Sequence, residues 1–157
     1  MYRSVTLAAL NNNIDLNDKE KVTELAKTLE IDLKEINGII HTFLNGEDVS
    51  AQIRTPEVNA NVSIVSAIKE VRAIMVEHQR ALAENHDIVM EGRDIGTTVF
   101  PNANIKLYLE ASAEERAQRR YKQNLENGME VPYEEVLESI KNRDKKDSTR
   151  ADSPLTI

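Results

Sequence analysis

The segment Val89-Met90-Glu91-Gly92-Arg93-Asp94-Ile95-Gly96-Thr97-Thr98-Val99-Phe100-Pro101 constrains this chain more than any other stretch. A short apolar run (Ile88, Val89, Met90) leads into Gly92, an Arg-Asp pair and a second glycine. The pattern predicts a buried strand ending in a tight loop that presents a cation beside a carboxylate. In open α/β sheets, ligands bind just beyond the carboxyl ends of such strands. An arginine forks onto phosphate, and an adjacent aspartate accepts from an exocyclic amine. The pair is suited to holding a nucleotide by both ends.

The rest of the chain narrows the partners. Its 157 residues suffice for one domain with a core and a small insert. Aromatic residues are only 4% of the chain and Trp is absent, so stacking platforms for single-stranded nucleic acid are lacking. A formal net charge of −7 also disfavours a general DNA or RNA binder. With no cysteine there are neither disulfides nor thiolate metal sites, and a reducing cytoplasm is the expected compartment. His41, His78 and His86 are scattered without ligand spacing, so no metal site is expected. No stretch reads as a signal peptide or a membrane span.

Periodicity orders the elements. Val5, Leu7, Ala8 and Leu10 predict a helix from Tyr2 to about Asn11, and Asn17 followed by Glu20 predicts the cap of a second. Two β-rich runs, Ile31–Ile36 and Ile39–Leu44, flank Asn37-Gly38, the strongest short hairpin signal. Asn45-Gly46 marks another turn, with a short strand expected at Asp48-Val49-Ser50. Thr55-Pro56 opens a helical pattern that runs, with room for a bend, to about Glu84. Core strands are expected at Ile88–Glu91 and Ile105–Leu109. Ser112 with Glu115 forms a capping box, Asn127-Gly128 stops that helix, and Pro132 opens the last.

Arg3, Arg72, Arg93, Arg143 and Arg150 stand at or near element ends, where side chains can converge on one cleft. Several arginines around one site imply a multiply charged ligand. Ordinary surface ion pairing is the plain alternative for each taken singly, Arg93 excepted. Arg116, Arg119 and Arg120 share a helical face that is either solvated or turned to phosphates as a lid closes. Between Lys141 and Arg150 the charges alternate in sign, as on a plain helix surface or on a segment whose Arg143 and Arg150 close over phosphate while Asp147 accepts from a ribose hydroxyl. None of the five glycines is followed by Lys, so the chain holds no G-x-x-x-x-G-K-[ST] loop to cradle a triphosphate.

These residues closely resemble the bacterial cytidylate kinase family. The resemblance rests on Met1-Tyr2-Arg3, Gly46-Glu47-Asp48-Val49-Ser50, Ile53-Arg54-Thr55-Pro56-Glu57-Val58, Ala111–Arg120 and Arg143–Arg150, and above all on Glu91–Pro101. It implies an α/β fold, an incomplete parallel core of the P-loop nucleoside-monophosphate-kinase kind with a small antiparallel insert and a helical lid. It also implies transfer of the γ-phosphoryl group of ATP, with Mg²⁺, to CMP or dCMP. Arg3, Arg93 and Arg150 would hold the monophosphate, and Ser63, Arg72 and Asp94 would read cytosine. Asp147, helped by Arg143, would meet the sugar, and Arg119 and Arg120 would approach the ATP phosphates from the lid. Arg119, Arg120, Arg143 and Arg150 are thus the expected catalytic set.

The implied organisation is core helices at 1–29, a monophosphate-binding insert at 30–66, core at 67–118, lid at 119–150 and a return to core at 151–157. Family chains continue upstream through a phosphate-binding loop and downstream through further core, so this stretch is expected to be inactive alone. A monomer acting on small nucleotides, with neither nucleic acid nor membrane as partner, is expected. Rival readings are a kinase for another nucleoside monophosphate or small metabolite, a non-catalytic nucleotide-binding module, and, third, an RNA-binding helical protein.

Overall fold

The two Asn-Gly pairs decide the sheet. In the computed structural model, which describes residues 1–157, β1 (Ile31–Ile36) pairs antiparallel with β2 (Ile39–Leu44), from Ile31 opposite Leu44 to Ile36 opposite Ile39. Asn37 (φ 53°) and Gly38 (φ 78°) both take positive φ, as a two-residue hairpin turn of mirror-image type requires. Asn45 (φ 50°) and Gly46 (φ 84°) repeat the device and lead into β3 (Glu47–Asp48) beside β2. This strand ends earlier than the expected 48–50. The Ser50 hydroxyl accepts from the Thr42 N–H at 2.9 Å and donates to Asp48 at 2.6 Å, so a side chain takes the place of the ladder.

The chain divides into two units, Met1–Ile88 and Val89–Ile157. In the first, α1 (Tyr2–Asn11), α2 (Lys19–Thr28), α3 (Pro56–Ser66) and α4 (Lys69–Ala81) join the sheet. Val5, Ala9, Val22, Ala26, Val58, Val65, Val71 and Met75 are fully buried and form its core. The cap of α2 is Asp18, accepting from the Lys21 N–H at 3.1 Å, and not Asn17. Asn17 is instead turned back on Asp15, to which it donates through backbone (2.9 Å) and side chain (3.2 Å). Thr55 caps α3 with Pro56 in its first turn, and the bend comes where Ile68 leaves helical geometry (ψ 115°).

The second unit is built on α5 (Ala113–Glu126) and α6 (Tyr133–Thr149), which pack on one another. The Ser112/Glu115 capping box is formed, and Asn127 ends α5 ahead of Gly128 at φ 71°. Tyr121 meets Tyr133 edge-to-face, with centroids 6.2 Å apart, and Lys141 pairs with Glu114 at 2.9 Å.

The expected core strands are the main departure. Residues 88–91 and 105–109 form no ladder, and the only sheet is the three-stranded antiparallel one. The fold is mixed α/β, and the parallel core is not formed. The reason is physical: a strand needs partners for its backbone groups and cover for its side chains. Here Val89, Leu107 and Leu109 are almost fully exposed, Ile105 is 79% exposed, and no neighbouring strand meets them.

Candidate active site

After Met90 the chain reaches Gly92, where an added Cβ would stand 2.8 Å from the Ile95 side chain, so only glycine lets Ile95 fold back that closely. Asp94 then heads a wide helical turn over Ile95–Val99, its carbonyl accepting from the N–H groups of Thr98 (2.9 Å) and Val99 (3.2 Å). Such wide turns are rare and concentrate at functional sites. The turn buries Asp94 (5% exposed) and leaves Arg93 beside it partly exposed.

Arg93 reaches α6. Its Nη1 lies 3.0 Å from Asp147 and 3.3 Å from Asp144. Asp147 is 2% exposed and also faces Arg143 (3.6 Å) and Arg150 (3.8 Å). Arg143 and Asp147 lie one turn apart on α6, and Arg150, the residue that ends the helix with extended backbone (ψ 148°), turns back to Asp147. The structure thus brings together Arg93, Arg143, Asp147 and Arg150, four of the residues singled out in the sequence. Burial first, and the charge of Arg93 second, push the Arg143 guanidinium down to about 10, with Asp147 acting in the opposite sense. The Arg143 Nε and the Asp147 Oδ2 are buried without a well-formed hydrogen bond and are held by their ion pairs, with each other and, for Oδ2, with Arg93. Arg119 is exposed and Arg120 partly so, on the α5 face where a lid role was expected.

The first unit holds Arg3, Ser63 and Arg72. Arg3, on α1, donates through Nη1 to the Ile53 carbonyl at 2.8 Å and to the Asn59 side-chain oxygen. Arg72, on α4, is 2% exposed, donates to the Ser66 carbonyl at 3.1 Å and lies 5.3 Å from the centre of the Tyr2 ring. Ser63 is buried on α3, one turn before Ser66, whose hydroxyl donates to the Ser63 carbonyl at 3.4 Å. Ser63 and Arg72 therefore meet the same helix joint. A buried guanidinium is costly unless specifically engaged, and here the Ser66 carbonyl and the Tyr2 ring engage it.

A family model described as cytidylate kinase matches residues 1–157. The chain belongs to the cytidylate kinase family. It is 52% identical over its whole length to the cytidylate kinase of Caldanaerobacter subterraneus subsp. tengcongensis, covering 68% of that relative. Identity is 49% to the Bacillus subtilis cytidylate kinase and 51% to that of Limosilactobacillus reuteri, with 99% of this chain and 69% of each relative covered.

Asn59, Asp144 and the distinct place of Arg116 were not apparent from the sequence. Asn59 holds Arg3, and its amide also donates to the Arg54 carbonyl at 3.1 Å. Asp144 bridges Arg93 and Arg116, the latter at 2.6 Å. Its spacing of one helical turn before Asp147 was the available signal. Asn59 had none, because its partner lies 56 residues away.

Proposed function

We propose that this chain carries the acceptor machinery of an enzyme that transfers the γ-phosphoryl group of MgATP to CMP or dCMP. The observation that carries the reading is the Arg93, Arg143, Arg150 and Asp147 cluster beside buried Asp94. Arg93 and Arg150 bind the monophosphate through charge-assisted bonds, the role that the family resemblance implies for Arg3 as well. Asp94 accepts from the cytosine N4 amine, and Arg72 and Ser63 donate to its O2 and N3 acceptors. Asp147, steadied by Arg143, accepts from the sugar hydroxyl. Arg119 and Arg120 approach the ATP phosphates. The parallel sheet of a nucleoside-monophosphate kinase would draw on the exposed apolar segments 88–91 and 105–109.

Phosphoryl transfer of this kind is mainly positioning and charge neutralisation, which is work for guanidiniums and needs no covalent nucleophile. No group of three or more His, Asp or Glu residues is gathered to hold a cation, and Asp144 and Asp147 face arginines. Magnesium enters as part of the substrate MgATP, bound by its phosphates. No helix is long and apolar enough to cross a membrane; small nucleotides in the cytoplasm are the proposed partners, met by a monomer.

The test is ADP release by the enzyme as its gene encodes it, with CMP, dCMP, UMP and AMP as acceptors. Turnover with CMP and dCMP well above the other two supports the reading. Turnover led by AMP or UMP overturns it.

A further inference from the structure

Asp144 is engaged from both sides. One carboxylate oxygen meets the Arg93 Nη1 at 3.3 Å, and the other meets the Arg116 Nη2 at 2.6 Å. Arg116 is itself fixed to the start of α5, because its Nε donates to the carbonyls of Ala111 (3.1 Å) and Ser112 (3.3 Å). A continuous polar path thus runs from the α5 N-terminus through Arg116 and Asp144 of α6 to the loop carrying Arg93 and Asp94. Asp147, one turn further along α6, meets the same Arg93 Nη1 at 3.0 Å. The two carboxylates therefore hold the Arg93 guanidinium by one corner. Four guanidiniums (Arg93, Arg116, Arg143, Arg150) face these two carboxylates, leaving two positive charges, the complement of a phosphate dianion.

We propose that Asp144 is a positioning residue for the acceptor site, which fixes Arg93 for the monophosphate and ties that arginine through Arg116 to the helix bearing Arg119 and Arg120. The proposal rests on the reading of Arg93 as a monophosphate ligand. Without the bridge, Arg93 has Asp147 alone to orient it and swings among rotamers. Acceptor binding then carries an ordering cost that the native site has already met. Arg116 would be held only by the turn that it caps. The effect belongs in the KM for CMP more than in kcat, because the lost contact orients a ground-state ligand.

Asp144→Asn keeps the side-chain shape and removes the charge. In the gene-encoded enzyme, kcat/KM for CMP should fall roughly tenfold, carried mainly by KM, at a temperature where the variant is still folded. Arg116→Gln should do the same, and the double variant should be no worse than the more impaired single one, because both break one path. Should Asp144→Asn fail to fold, Arg116→Gln breaks the same bridge from its more exposed end and reports alone. Unchanged KM values in both variants overturn the proposal. Fully additive losses also overturn it, since the two residues would then act separately. Arg93→Ala as a control separates the layers. If that variant is impaired while Asp144→Asn is not, the bridge alone is wrong; if it retains full CMP kinetics, the monophosphate reading falls and takes the bridge with it.

Discussion

At the scale of single residues, Arg93 has two duties. It faces the proposed monophosphate, and it is the nearest cation to buried Asp147. Arg93→Ala would therefore impair binding and also strip a partner from a buried carboxylate, a destabilising combination. Arg93→Lys separates the two duties, because it keeps the charge and loses the planar fork. It should lower kcat/KM for CMP by roughly tenfold to a hundredfold, the worth of one hydrogen bond to a charged group, with a small change in melting temperature. Steady-state kinetics beside calorimetry check this, and unaltered kinetics would mean that the fork is not used. Asn59 offers a second test. It accepts from Arg3, and its own amide is anchored on the Arg54 carbonyl. Asn59→Ala should raise the KM for CMP severalfold by releasing Arg3, an effect on the order of 1 kcal/mol. A KM for CMP equal to that of the unaltered enzyme would remove Asn59 from the account.

At the scale of elements, the two units rest on different forces. The first buries a continuous apolar core, whereas in the second only Val99, Ala117 and Val136 are buried hydrophobic residues. Ion pairs between α5, α6 and the Arg93 loop therefore matter more there, and acid should find them. Burial pushes the Asp144 carboxyl up, but the hydrogen bonds from Arg116 and Arg93 more than offset this and leave it below the ordinary carboxylate range. Hydrogen bonds from Ser50, and then from His41, likewise hold Asp48 in the hairpin down to about 2. A carboxyl depressed in the folded state adds stability above its unfolded value, about 3.9, and loses it as pH falls through the folded value. Urea unfolding followed from about pH 6 downwards should show stability level above about pH 4 and falling below it. Asp144→Asn should blunt that fall in the second unit, and an equally steep fall would exclude Asp144 as its source.

The elements also show what a sequence can reveal. The Asn37-Gly38 hairpin, the Thr55-Pro56 start and the Ser112/Glu115 capping box were legible because each is a local device whose partners lie within a few residues. For Arg143, Asp147 and Arg150 the sequence left a plain charged surface and a phosphate-closing segment equally open, and the contacts around Asp147 gather all three. The segments 88–91 and 105–109 form no strand here because strand character depends on neighbours that an apolar run cannot specify. The wide turn at Ile95–Val99 and the Asp144 bridge escaped for a related reason: spacing puts Asp144 near Asp147, but the partners that make both features lie in contacts across the fold.

At the scale of the whole molecule, the 157 residues contain the proposed acceptor residues and no glycine-rich triphosphate cradle. A polypeptide of this length should release no ADP from ATP with CMP present, yet CMP should raise its melting temperature by mass action. Turnover that survives removal of contaminating kinases would show that the triphosphate is bound by residues not considered for it. The central claim is narrower, namely that the Arg93-Asp94 loop recognises the cytidine monophosphate, with Asp94 accepting from the base amine. UMP carries a carbonyl where CMP carries that amine, so the carboxylate would meet an acceptor and stay unpaired. Asp94→Asn replaces one acceptor oxygen by a donor that suits the uracil carbonyl. The decisive measurement is the ratio of kcat/KM for CMP to that for UMP, in the unaltered enzyme and in Asp94→Asn. The account predicts a ratio of at least about a hundredfold that shrinks by tenfold or more in the variant. A ratio near unity in the unaltered enzyme, or one unmoved by the substitution, would contradict it.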